Sequence, residues 1–238
     1  MVVEDRRRVS LWRTIAETAG VPGEASWARE VCRMCVRYLA GIDAAALTLR
    51  ATARAQDMLG ASDNWAAQLD EYQYTLGEGP GARAFATGTA VLVPDLSANQ
   101  VRWPGFTDAA QAIGTGAAFA FPLRIGGIRL GTLDLYRRRP GDIPVRVRAD
   151  TALIADLITL ALLKRAEQAE IRGESWIREA GSYQDVNIAT GMLAARLHVS
   201  LDDAFLRLRA HAFAQNRPVP EVARDVIDQR IDAEELNE

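Results

Sequence analysis

Thr151 to Leu163 reads TALIADLITLALL, a run in which Asp156 is the only charge. A helix with one apolar stripe packs on one surface, whereas a helix apolar nearly all round has to be covered on every side. One side can lie on the domain that precedes it. The other is left for a second copy of the same helix. Ile154, Leu157, Ala161, Lys164, Gln168 and Ile171 follow with the spacing of a coiled-coil seam, although the run is short and turns polar from Lys164 onward. The stretch 147–182 is therefore expected to be one long helix that joins two unlike domains and pairs in a homodimer. The plainer alternative is a terminal helix that closes a single domain.

The texture before this helix differs from the texture after it. Upstream, strand and helix patterns mix without strict alternation, as in an antiparallel α+β sheet domain. Ser26–Ala40 is amphipathic, with Trp27, Val31, Cys32, Cys35 and Leu39 on one face and Gly41 as a stop. Ala45–Arg50 reads as a strand, with a second around Arg54–Leu59, and Ser62–Tyr74 as a helix. Ala117–Arg124 and Ile128–Tyr136 read as strands joined by Gly126-Gly127, a hairpin signal. Downstream only helical patterns remain, over Tyr183–His198, Leu201–Asn216 and Pro220–Ile231. Short amphipathic helices of this kind bury enough surface only when packed together. Ser200 and Asp203 form a capping-box variant at the second of them. Residues 1–25 are expected to be an N-terminal segment, and 232–238 an acidic frayed tail.

Several chemistries lack their residues. Cys32 and Cys35 have neither the further ligands of a structural zinc site nor the strand-to-helix position of a redox pair, so core packing is the expected role. The glycine-rich Leu76–Gly81 loop lacks the Lys-Ser/Thr of a phosphate-binding loop and carries Glu78, so it reads as a tight turn with Pro80 opening a helix. No catalytic constellation is apparent, since His198 and His211 both fall in the helical region; the chain is not expected to be an enzyme, and no metal or cofactor is indicated. No apolar leader opens the sequence, and the 151–163 run is too short to span a bilayer, so a cytoplasmic protein with no membrane partner is expected. With 28 basic against 31 acidic residues, no global positive excess announces nucleic acid.

Two stretches resemble known families. Residues 26–170 resemble an actinobacterial-type GAF sensor domain, through the AALTLR strand, SDNWAAQLDEYQYTLGEGPGARAFATGTAVLVPDL, the RWPGF segment and AFPLRIGGIRLGTLDLY. Residues 183–231 are similar to an ANTAR domain, through VNIATGMLAARLHVSLDDAFLRLRAHAFAQNRPVPEVARDVI. The expected architecture is an α+β GAF-like antiparallel sheet domain (26–146), a long linking and dimerisation helix (147–182), and an all-α three-helix ANTAR bundle (183–231).

The resemblance implies a dimer that holds paired hairpins in nascent leader transcripts. A terminator is thereby prevented from forming, so that transcription reads through under the control of a signal bound by the GAF domain. Thr190, Gly191 and Arg209 carry over from the family motif. Small residues at 189–191 would let an RNA backbone or a neighbouring helix approach. Asn187 offers an amide to a base edge; Arg196, Arg207, Arg209 and Arg217 offer charge; His211 offers a stacking ring. For a small organic ligand of the GAF domain, the expected lining is Asp95, Trp103, Phe106, Phe119, Phe121 and Asp134, with plain core packing as the alternative for the phenylalanines. Within 183–231 six arginines face six acids. The balance keeps a second function in view: a sensor acting through protein partners, with a bundle that no longer reads RNA.

Overall fold

The computed structural model describes residues 24–50, 56–171, 184–215 and 217–236, together with Val9, Arg13 and Ile15. Residues 172–182 of the expected linking helix, and most of the expected N-terminal segment, lie outside the described residues.

The first domain is built on five strands: β1 (Ala44–Arg50), β2 (Gln56–Ala61), β3 (Val91–Val93), β4 (Ala117–Ile125) and β5 (Ile128–Arg137). They run antiparallel in the order β2-β1-β5-β4-β3. The β4–β5 hairpin turns at Gly126, whose φ of 56° suits a residue without a Cβ. Helix α1 (Glu24–Tyr38) covers one face of the sheet; α2 (Asn64–Leu76), α3 (Pro80–Thr87) and α4 (Pro104–Ala112) cover the other.

The period of two along each strand decides what each face holds. In β4, Phe119, Phe121 and Leu123 alternate with Ala118 and Ala120; in β5, Leu133 and Leu135 alternate with Thr132, Asp134 and Tyr136. Register matches like with like: Phe119 pairs with Leu135 and Phe121 with Leu133, whereas Ala120 pairs with Asp134 and Ala118 with Tyr136. One face is therefore large and apolar. It packs with Trp27, Val31, Cys32, Cys35 and Leu39 of α1 in the principal core. The opposite face is small and partly polar, and the aromatic residues of the second helical layer settle on it.

Both cysteines are free and fully buried, in keeping with the packing role expected of them. Burial pushes the Cys35 thiol up to about 12. Burial, with Cys35 next in effect, pushes the Cys32 thiol up as well, so neither supplies a thiolate near neutral pH.

Helix α5 spans Val145–Ile171. Val147, Ile154, Ala155, Leu157, Ile158, Ala161 and Leu162 all belong to the principal core, on the α1 side of the sheet. Ile154, Leu157 and Ala161, expected at the seam of a dimer, are thus consumed inside one subunit. The reason is area: the aromatic and leucine face of β4–β5 needs a second cover beside α1, and α5 is the apolar helix long enough to supply it. The hydroxyls of Thr151 and Thr159 donate back to Val147 and Ala155 carbonyls at 2.7 and 2.8 Å, so the buried stretch holds no unsatisfied hydroxyl there. Arg165 lies over the Trp27 ring at 5.0 Å, extending the contact by another turn.

Helices α6 (Gln184–Leu197), α7 (Leu201–Ala214) and α8 (Val219–Ile227) form the second domain. Val186, Ala189 and Leu193 meet Ala204, Leu208 and Ala212 and then Val222, Ala223 and Val226 in a second core. Contrary to the expected frayed tail, Ala233–Leu236 forms a 3-10 turn whose Ala233 and Leu236 are buried in that core, because two apolar side chains one turn apart cover its open end. Ser200 caps α7 by accepting from the Asp203 amide at 3.1 Å, and its hydroxyl donates to the Asp203 carboxylate at 2.7 Å.

Candidate functional site

On the small face of the sheet lies a buried polar cluster. Arg50, at the end of β1, follows Ala44, Ala46 and Thr48 on that face by strand alternation. Its guanidinium lies 3.4 Å from an Asp70 oxygen, donates to the Gln56 amide oxygen, and reaches the Thr132 hydroxyl at 3.4 Å. The Thr132 hydroxyl donates to Asp134 at 2.6 Å. Gln73 donates to the Tyr136 hydroxyl at 3.1 Å and accepts from the Gly81 amide at 2.7 Å, which ties α2 to the start of α3. Burial raises the Asp134 carboxyl to about 6 against the opposing pull of Arg50, with Asp70 adding to the rise. Asp70 is raised by burial too, again opposed by Arg50. One guanidinium thus serves two buried carboxyls, and a proton on Asp134 relieves the excess of negative charge. The Asp70 Oδ2 and Gln56 Nε2 atoms are buried without a hydrogen-bond partner among the described residues.

Of the expected ligand-pocket residues, Trp103, Phe106 and Asp134 come together on this side of the sheet. Phe119 and Phe121 do not. They point through the sheet into the principal core, because they occupy the alternate positions of β4. Asp95 is taken up in a local turn, accepting from the Ser97 amide at 2.9 Å and from its hydroxyl at 2.6 Å. Trp103 is 5% exposed and lies beneath the Arg102 guanidinium at 4.4 Å. Glu78 caps α4, accepting from the Phe106 amide at 2.9 Å where the helix presents its unpaired N–H groups. The sequence reading passed over Arg50, Gln56, Asp70, Gln73, Thr132 and Tyr136. The alternation of Thr132 and Tyr136 with two leucines, in step with Asp134, was the available signal for two of them.

The reader-domain candidates are dispersed. Asn187 is exposed on α6, and Gly191 is half-buried, with open space where a Cβ would stand. Among the described residues, no neighbouring helix accounts for that glycine. Thr190 is buried, and its hydroxyl donates to the Val186 carbonyl at 2.6 Å, so it presents no hydroxyl to a partner. Arg196 is exposed and Arg207 half-buried. Arg217 is bound to Asp225 at 2.7 Å, a carboxylate that also accepts from Arg230 at 2.6 Å, while Arg224 pairs with Asp185 at 2.9 Å. His211 is half-buried, and its Nε2 is enclosed without a hydrogen-bond partner among the described residues.

Arg209 is turned toward the first domain. Its Nε donates to the Thr75 carbonyl at 2.7 Å, at the end of α2. Phe205, one turn earlier on α7, meets Tyr74 with ring centroids 5.7 Å apart, and Tyr74 is enclosed in the core of the three-helix domain. The Val219 amide donates to Glu71 at 3.2 Å, so α8 is tied to the same helix.

A GAF domain family model matches residues 7–162, and an ANTAR domain model matches residues 182–227. No curated protein matches the chain. Among solved structures, the GAF domain of a phosphoenolpyruvate-protein phosphotransferase from Coxiella burnetii is 14% identical with a TM-score of 0.52, over 70% of this chain and 96% of that one. The GAF domain of the Acinetobacter phosphoenolpyruvate-protein phosphotransferase is 9% identical with a TM-score of 0.51, over 68% and 95%. Identities this low show the fold alone. GAF and ANTAR domains are sensor and regulatory modules rather than catalytic ones, and no helix among the described residues is long and apolar enough to cross a membrane. With a sheet that has one small, partly polar face and a three-helix bundle that follows it in the chain, and with family models matching over both, the chain belongs to the GAF domain family and carries an ANTAR domain at its C-terminal side, the combination of a signal-responsive ANTAR regulator.

Proposed function

We propose that this protein is an RNA-binding regulator that promotes transcription antitermination by holding hairpins of nascent leader transcripts as a homodimer, under the control of a small molecule bound by its GAF domain. The observation that carries the reading is the ANTAR match over residues 182–227, which coincides with a bundle having its own core. Among the described residues, nothing covers Asn187 or the space over Gly191, which supports this part of α6 as the face for a partner. The ligand would sit over the small face of the sheet, near Trp103, Phe106 and Asp134, where Asp70 Oδ2 and Gln56 Nε2, without a hydrogen-bond partner among the described residues, would offer further polar contacts. Asp95 would stand at the edge of this region. Phe119 and Phe121 take no part in it.

The dimer contact moves to a different stripe of α5. Ala149, Leu153, Asp156, Leu160, Leu163 and Glu167 alternate at spacings of four and three, and all are exposed or half-buried. Leu160 is 47% exposed. This outer stripe is the seam we assign to the second subunit, in place of the inner positions.

Crosslinking the full chain to RNA in its own cells, followed by in vitro transcription through the recovered leaders, tests the reading. Recovered transcripts should carry paired hairpins ahead of a terminator, and the protein should raise read-through. Failure to recover RNA, or unchanged termination, sinks it. The alternative, action through a protein partner, draws on the pairing of Arg217, Arg224 and Arg230 with acids and on Leu206 and Phe213, each 61% exposed on α7. A protein partner recovered without RNA would favour it.

A further inference from the structure

The contact between α2 and α7 covers the one arginine that the ANTAR motif carries over. The Gly77 backbone closes α2 in the left-handed region, with φ of 68°, and its amide donates to the Gln73 carbonyl at 3.0 Å. The missing Cβ leaves a hollow, and the Arg209 guanidinium fills it: a Cβ there would stand 2.0 Å from Nη2 and 2.3 Å from Nη1. Helix C-terminal carbonyls carry partial negative charge, so a guanidinium is favoured at this spot. The Thr75 carbonyl supplies the hydrogen bond, the Phe205 ring lies 5.5 Å below the guanidinium, and Tyr74 closes the side. Burial lowers the Arg209 pKa, with Tyr74 and Glu78 opposing that change.

We propose that the end of α2 is an autoinhibitory latch: the Thr75 carbonyl, the hollow over Gly77 and the Tyr74 ring hold Arg209 away from RNA until the two domains separate. The inference rests on the reading of the bundle as an RNA reader. The same turn of chain faces the sensor's interior. Gln73 binds Tyr136 and the Gly81 amide, and Glu78 caps α4. A displacement on the ligand side therefore reaches Arg209 through one helical turn. Contacts that favour the closed arrangement lower the apparent affinity for RNA by the fraction of molecules that are open.

The test uses the full chain and a pool of RNA hairpins with randomised loops. Glu71→Arg places a cation where α7 and α8 dock, and Tyr74→Ala removes the ring contact; having both guards against one failing to fold. Each should speed amide exchange in α7 and tighten RNA binding by about tenfold or more. Arg209→Ala added to either should reverse the gain and lower the salt slope by roughly one. If the wild type and both variants bind the RNA equally, the latch is overturned and the RNA reading stands. If none binds although α7 exchange rises, both fall. A gain that survives Arg209→Ala also overturns the latch.

Discussion

The Arg209 Nε lies 2.7 Å from the Thr75 carbonyl oxygen, across the boundary between the sensor and the three-helix domain. Gly77 makes that approach possible. Gly77→Ala adds a Cβ 2.0 to 2.5 Å from the guanidinium and strains a backbone at φ of 68°. The flexible guanidinium yields before the backbone does. The expected result is a loss of about 1 kcal/mol of sensor stability together with faster exchange in α7. Denaturant midpoints and hydrogen exchange read the two effects separately, and unchanged α7 protection would contradict the geometry.

Arg50 and Asp70 are both almost fully buried and lie 3.4 Å apart. Arg50→Ala strands a carboxyl in the interior and should cost about 3–5 kcal/mol. The double variant Arg50→Met, Asp70→Leu should cost clearly less, because it removes both desolvated groups at once. Urea unfolding of the single and double variants checks the order. A double variant as unstable as the single one would show that the pair's own attraction dominates.

Asp134 gives the sensor a pH dependence of defined sign. Its folded pKa is raised from 3.8 to about 6, chiefly by burial. Between those values the native state keeps a proton that the unfolded chain releases. Stability from this group is therefore fully present at pH below 4 and falls as the pH rises toward 6, by about 3 kcal/mol in all. Asp134→Asn should flatten that part of the profile, leaving the share due to Asp70. Unfolding free energies of wild type and variant at pH 4 and pH 7 decide it; parallel profiles would refute the assignment.

Gly131 lies in β5 with Thr48 and Leu49 of β1 directly against it. A Cβ there would stand 2.0 Å from the Thr48 carbonyl oxygen. Backbone cannot swing aside as a side-chain tip can. Gly131→Ala should part the β1–β5 ladder and cost about 1–3 kcal/mol, with loss of amide protection along β1. An unaffected denaturation midpoint would exclude this close packing.

The two stripes of α5 make opposite predictions. Leu160→Glu on the outer stripe should abolish self-association in sedimentation with little change in stability. Ile154→Glu, fully buried in the principal core, should unfold the sensor domain. Self-association untouched by Leu160→Glu would place the dimer contact elsewhere.

Much was legible in the chain itself. Periods of two and near four place the strands and helices, Gly126-Gly127 marks the hairpin, Ser200 with Asp203 marks the start of α7, and the ANTAR-like run ends with α8, although Ala233 and Leu236 beyond it also pack into the bundle core. These are local signals, set by backbone geometry and neighbouring residues. The apolar surround of Thr151–Leu163 correctly demanded cover on several sides, yet it could not say by what. Only the folded sheet shows that β4 and β5 take Ile154, Leu157 and Ala161. Phe119 and Phe121 were assigned to the same pocket as Asp134, although strand alternation and register set them on opposite faces. Arg209 is the clearest case. Its motif position is written in the sequence, but its partner lies 134 residues away, at the end of a helix in another domain. Local pattern determines which elements form and which side chains they present. Which of those side chains are free to act is a property of long-range packing, because a charge has no fixed role until the fold decides what stands in front of it.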